Sequence, residues 1–180
     1  MTNTTDAVGG WNLTLSNGAS VTPAGLVLNG VDSQYASFAP QTYGGTGMCF
    51  TFWANTDASV VDTFARYFDF GTNVGSSDDW VAATSNNILM CAKGYFQIAN
   101  GNSWSPSENT LLALPTPIVA DTWFNLVATV DVAGYTTLYM NGASAASGQM
   151  VPIPSVERTN NFFGKSAINT DYMTGTIANY

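Results

Sequence analysis

A chain of 180 residues that is 46 % hydrophobic and 13 % aromatic carries enough apolar material for one sizeable core and is not a disordered chain. Its net charge is −8, with Arg66, Lys93, Arg158 and Lys165 as the only cations. That excludes a nucleic-acid partner, which needs clustered Lys and Arg to displace counterions from phosphates, and it disfavours anionic lipid surfaces.

Other classes fall away in the same manner. No run reaches the ~20 apolar residues of a membrane-spanning helix, so membrane insertion is not expected. Residues 1–20 show neither the basic start nor the apolar stretch of an export signal. There is no His, and Cys49 and Cys91 are the only cysteines, which rules out a transition-metal cage. A disulfide between those two stands open beside the reading of two buried free thiols in strands. Charged residues make up only 9 %, so Asn, Ser, Thr and Gly must supply the polar surface, a profile that suits secreted, cell-surface or virion proteins.

Helical periodicity is nearly absent along the chain. Short β-branched and aromatic runs recur instead, punctuated by Gly, Asn, Asp and Pro. They predict strands near 26–29, 34–38, 48–54, 65–70, 79–84, 88–92, 94–99, 123–131, 135–140, 144–150, 160–164 and 172–178. So many short strands indicate an all-β sandwich or barrel. One hairpin is expected from residues 123–130 through Asp131-Val132-Ala133-Gly134 into 135–140. A second turns at Asn141-Gly142, where both residues tolerate the positive φ of a type I′ turn. Gly101 to Asp121 reads as the longest irregular stretch. No repeat, linker or low-complexity tract divides the chain, so one domain over residues 1–180 is expected.

Four blocks in order carry a family resemblance. They are residues 26–35 (Leu26-Val27-Leu28-Asn29-Gly30 onward), residues 49–54 (Cys49-Phe50-Thr51-Phe52-Trp53-Ala54), residues 122–131 leading into 137–142, and Phe162-Phe163-Gly164-Lys165-Ser166 followed by Gly175-Thr176-Ile177. Together the chain resembles the laminin-G-like jelly roll of the concanavalin-A-like superfamily. The resemblance implies a two-sheet antiparallel jelly-roll sandwich. Alternation within the blocks turns Phe50 and Phe52, and Phe124, Leu126 and Ala128, to one inward face, continued by Leu138 and Met140. Family members usually carry an acid in the last strand where this chain has Ala178, which puts a cation held through that carboxylate in doubt. A short last strand is expected to leave a sheet edge near Gly175 to Tyr180 for something else to cover.

The superfamily also contains glycoside hydrolases, whose chemistry needs two carboxylates across the scissile bond. Glu108 and Glu157 are far apart and in predicted loops, Asp78 and Asp79 are adjacent and would point to opposite faces of a strand, and no His is present for a nucleophile–base pair. No catalytic residues are expected. The resemblance suggests calcium at a loop rim, for which Asp78, Asp79, Asn169 and Asp171 are the oxygen donors; the competing and preferred reading makes them ordinary turn residues. Trp53 and Trp123 lie in the shared strand blocks and are expected to be structural. Trp104, beside Asn102 in a polar loop, and Trp80 are the candidate sugar-stacking rings, with Tyr172 beside the second acidic loop; the competing reading folds both tryptophans over the sandwich edge.

Two functions follow as expectations. One is a non-catalytic recognition module for a glycan or cell-surface partner, displayed extracellularly or on a virion surface. The other is a structural surface subunit that assembles through its sheet edges into a homo-oligomer or lattice.

Overall fold

The structure is a computed structural model that describes residues 4–5, 11–72, 86–100, 109–167 and 171–179. Its strands in chain order are β1 (Thr14–Ser16), β2 (Ser20–Thr22), β3 (Gly25–Asn29), β4 (Tyr35–Phe38), β5 (Gln41–Tyr43), β6 (Met48–Thr56), β7 (Arg66–Gly71) and β8 (Asn87–Cys91). Then follow β9 (Tyr95–Ala99), β10 (Asn109–Ala113), β11 (Trp123–Val130), β12 (Tyr135–Met140), β13 (Ala143–Gln149), β14 (Val156–Arg158), β15 (Asn160–Phe163) and β16 (Thr174–Ala178). There is no helix among the described residues. A front sheet runs β1-β4-β15-β7-β8-β9-β10, a back sheet runs β13-β12-β11-β6-β16-β3-β2, and β14 pairs with β5 in a two-stranded ribbon. All the pairings are antiparallel. The predicted two-sheet sandwich is what forms.

Alternation does the folding. In the back sheet Phe124 opposes Ala54 and Ala128 opposes Phe50, a bulky side chain against a small one, while Leu126 opposes Phe52 between them, and together they fill the layer. The front sheet answers with aromatic rings. Phe50 stacks on Phe68 at 5.5 Å between centroids, joining the two sheets, and Phe68, Phe70, Phe38 and Phe163 continue the cluster at 4.9 to 6.1 Å. Each such pair adds about 1 kcal/mol beyond its buried area.

β7 breaks the alternation. A register shift between Arg66 and Phe68 turns Tyr67 inward as well as Phe68. Tyr67 packs on Phe52 at 5.0 Å and its hydroxyl shares a 2.8 Å hydrogen bond with the buried Thr56 hydroxyl. Burial pushes that phenol far above its ordinary pKa.

Both predicted hairpins are present. Asp131 organises the first, its carboxylate accepting the backbone N–H of Ala133 and of Tyr135 at 2.8 Å each. Asn141 and Gly142 turn the second with φ of 51° and 81°. The stretch read as irregular contains β10, which pairs with β9 over five residues. β1, β2, β5 and β14, of three residues each, were not expected. The strand expected at 79–84 lies outside the described residues.

The expected sheet edge is overturned, and of the two readings open for the cysteines the free thiols are the one found, with Cys49 exposed against expectation. The last strand is not an edge: β16 lies inside the back sheet between β6 and β3, and the edges are β13 and β2, with β1 and β10 in the front sheet. Cys49 and Cys91 are both free, because β6 and β8 belong to opposite sheets and the two side chains point away from the shared core. Cys49 is exposed rather than buried, and Cys91 is sealed beneath the outer surface of the front sheet, where burial raises its thiol pKa.

Candidate functional site

Asp78, Asp79, Trp80, Asn102, Trp104 and Asn169 lie outside the described residues. Asp171 and Tyr172 belong to a turn after β15, in which Lys165 bridges Tyr172 and the Ser166 N–H donates to the Asp171 carbonyl at 3.3 Å. Among the described residues no three Asp, Glu or Cys side chains gather to hold a metal ion. The sandwich therefore offers two outer faces for comparison.

The outer face of the front sheet is closed at its centre. Asp69 and Arg66 of β7 are both buried there, with Arg66 Nε 3.6 Å from the carboxylate. Asp69 also accepts from Asn87 Nδ2 and from the Ala167 N–H, each at 3.0 Å. The Arg66 guanidinium donates to the Phe64 carbonyl. The turn after β15 thus folds back over the sheet and holds the carboxylate from above. Lysines flank this centre on aromatic rings: Lys165 lies 4.7 Å from the Tyr35 ring and 4.6 Å from Phe162, and Lys93 lies 5.1 Å from Phe64 and 5.9 Å from Tyr95.

Burial drives the Asp69 pKa above the ordinary carboxylate value, against the opposing pull of Arg66 and of the Ala167 and Asn87 hydrogen bonds. A carboxyl raised on folding stabilises fully below its unfolded pKa, about 3.9, and loses that contribution as pH rises through the folded value. Urea unfolding of the wild type and Asp69→Asn across acidic to neutral pH should therefore show the wild type losing ground to the variant as pH climbs. A gap that widens in the wild type's favour would mean that the pairing with Arg66 outweighs desolvation.

The outer face of the back sheet is open. Since Phe50, Phe52 and Ala54 of β6 point inward, Cys49, Thr51, Trp53 and Asn55 point outward; in β11 the same parity turns out Trp123, Asn125, Val127 and Thr129. Trp53 and Trp123 are each 42 % exposed. Trp53 opposes Asn125 in the register, so Trp123 is its diagonal neighbour across the strands, at about 7–8 Å for such a pair. These rings, expected to be structural, sit in the shared strand blocks on the outward positions. Neither indole is hydrogen-bonded to a described residue, while Asn125 is fixed by its amide donating to the Phe52 carbonyl at 3.0 Å. Toward the other end of the same strands Cys49, Thr129 and Thr137 form a row across β6, β11 and β12. That row floors a depression of about 450 Å³ bordered by Gly47, Asp131 and Tyr135; Tyr135 is 49 % exposed.

Comparison with known proteins places this architecture. Residues 29–180 match a laminin-G-type family model described as the concanavalin A-like lectin/glucanases superfamily. The chain belongs to that superfamily. No curated protein matches it in sequence. Solved superfamily-like folds align over most of it. Domain 4 of AbnA, a GH43 extracellular arabinanase from Geobacillus stearothermophilus, solved with arabinotriose, is 14 % identical with a TM-score of 0.60, covering 98 % of this chain and 84 % of that one. The CBM40 of the Ruminococcus gnavus IT-sialidase, bound to α2,3 sialyllactose, is 9 % identical with a TM-score of 0.51 and coverage of 80 % and 83 %. Domains LG4-5 of the mouse laminin α1 chain are 12 % identical with a TM-score of 0.55, covering 81 % of this chain and 37 % of that one. At such identities these structures speak for the fold alone.

Proposed function

We propose that this domain is a non-catalytic glycan-binding module, working at an extracellular or virion surface, and that its ligand lies on the outer face of the back sheet. The carrying observation is the pair of exposed indoles, Trp53 and Trp123, on adjacent strands of one face. Large exposed aromatic surface on a sheet marks a place of contact. An indole offers a flat apolar surface for the C–H face of a sugar ring, and the neighbouring Asn and Thr groups bond its hydroxyls. Glycan ligands in the arabinanase domain and the sialidase module lend support to this reading.

Among the described residues, the Asp69 and Asp131 carboxylates, one on each outer face, support the non-catalytic reading. Hydrolysis of a glycosidic bond needs two carboxylates that reach the substrate. Asp69 is fully buried, and the Asp131 carboxylate is spent on its own turn.

A glycan array followed by calorimetric titration tests the proposal. Trp53→Ala and Trp123→Ala should each weaken binding by about tenfold or more, as for buried aromatic anchors, with an unchanged circular dichroism spectrum. Trp104→Ala and Trp80→Ala should bind as the wild type does. Full affinity in both back-sheet variants would overturn the site, and loss in Trp104→Ala alone would move it to the 101–108 segment.

A further inference from the structure

We infer that the back-sheet face takes an extended, uncharged glycan chain of several sugar units, an inference that rests on the glycan-binding reading above. Charge carries the first half. The chain has four cations, and each has its place elsewhere. Arg66 is buried beside Asp69, Lys93 and Lys165 lie over rings on the outer face of the front sheet, and Arg158 is buried beside Tyr43. None projects from the outer face of the back sheet. A sugar carboxylate or sulfate is held by Arg or Lys forks and ammonium groups; here it would meet none, in a molecule of net charge −8 whose field repels it. Beside the Cys49 thiol and Val127, the groups that face outward are indoles, phenols, amides and hydroxyls, which suit neutral sugars, and the one carboxylate at the rim, Asp131, would repel an acidic one.

Geometry carries the second half. Trp53 and Asn125 lie at one end of the face, and the Cys49–Thr129–Thr137 row with its 450 Å³ depression lies toward the other. Four residues of strand separate Cys49 from Trp53, about 13 Å at the usual rise per residue. A single sugar ring cannot span that. Thr51, Val127 and Tyr139 form the intervening row, which offers a hydroxyl, an apolar side chain and a phenol between the two ends. Tyr135 stands exposed at the far end of this face, where a second ring can stack.

The experiment uses the full chain against neutral and uronic-acid oligosaccharides of graded length, on an array and then by calorimetry at low and high salt. The expected result is binding to neutral chains only, insensitive to salt, strengthening by about tenfold or more from one sugar to three. Tyr135→Ala should reduce the long-chain affinity toward that of the short chains, whereas Trp53→Ala weakens every length. Binding to uronic-acid chains that falls with salt and with Lys93→Ala or Lys165→Ala would overturn the uncharged class while leaving glycan binding intact. Affinity that saturates at one sugar and ignores Tyr135→Ala would overturn the extended mode. Absence of any glycan binding, or a dimer in solution that Trp53→Ala dissociates, would overturn the underlying reading as well.

Discussion

Gly175→Ala is expected to destabilise the domain by about 3 kcal/mol, lowering Tm by roughly 6–12 °C for a chain of this size. Two costs combine. Gly175 has a φ of 137°, a region that side-chain-bearing residues rarely enter and that costs about 1–3 kcal/mol when they do. A Cβ there would also collide with the Asn55 carbonyl oxygen, and would sit 3.2 Å from Thr56 Cα, so the obstacle is backbone that cannot rotate away. Overpacking of that kind costs about 1–3 kcal/mol. On the other flank of β16 stands Gly25, with a φ of 136° and a Cβ position against the Ile177 carbonyl and 2.9 Å from Ala178 Cβ. The terminal strand is inserted between β6 and β3 through glycines on both sides. Urea unfolding reads the result, and a loss below about 1 kcal/mol would mean that the strands separate to admit the methyl group.

Arg158→Ala is expected to cost about 4 kcal/mol, and Arg158→Met about half as much. The guanidinium is buried, donates to the carbonyls of Asn86 and Tyr43 at 2.9 and 2.7 Å, reaches that of Pro154 at 3.5 Å, and lies 4.6 Å from the Tyr43 ring centroid. One side chain thereby ties the β5–β14 ribbon to the start of β8. Alanine leaves a cavity and strands those carbonyls away from water. Methionine refills much of the volume, which separates the two costs. Equal losses in both variants would assign the whole effect to the hydrogen bonds. Burial holds the guanidinium pKa below its ordinary value, with Tyr43 opposing, yet arginine stays charged at any working pH, so the loss should not vary across neutral pH.

The sandwich was legible because β6, β11 and β12 each alternate with period two and are joined by turns of recognisable chemistry. The same alternation contained the candidate site. Once Phe52 and Phe124 point inward, Trp53 and Trp123 must point outward, but membership in shared strand blocks outweighed that parity in the sequence reading. Other features had no local signal. Leu111 and Leu112 are adjacent in β10, so neither face stands out. β14 is three residues long and includes two charged ones; its order depends on Tyr43, more than a hundred positions away. The burial of Arg66 and Asp69 depends on the register shift in β7 and on a turn folded back from residue 167. Nor does the sequence reveal that its last strand is inserted in mid-sheet, since that follows from long-range pairing alone.

Cys49 has a practical consequence. Of the two thiols it is the one that solvent reaches, and it lies in the floor of the depression between Thr129 and the rim at Gly47. A small fluorophore coupled to it would report occupancy of that face directly, with Cys91 shielded from the reagent. The same exposure makes storage without a reductant hazardous. Two molecules joined through Cys49 would each bury the other's tryptophan face, and a preparation that had oxidised in this way would look inert while being perfectly folded.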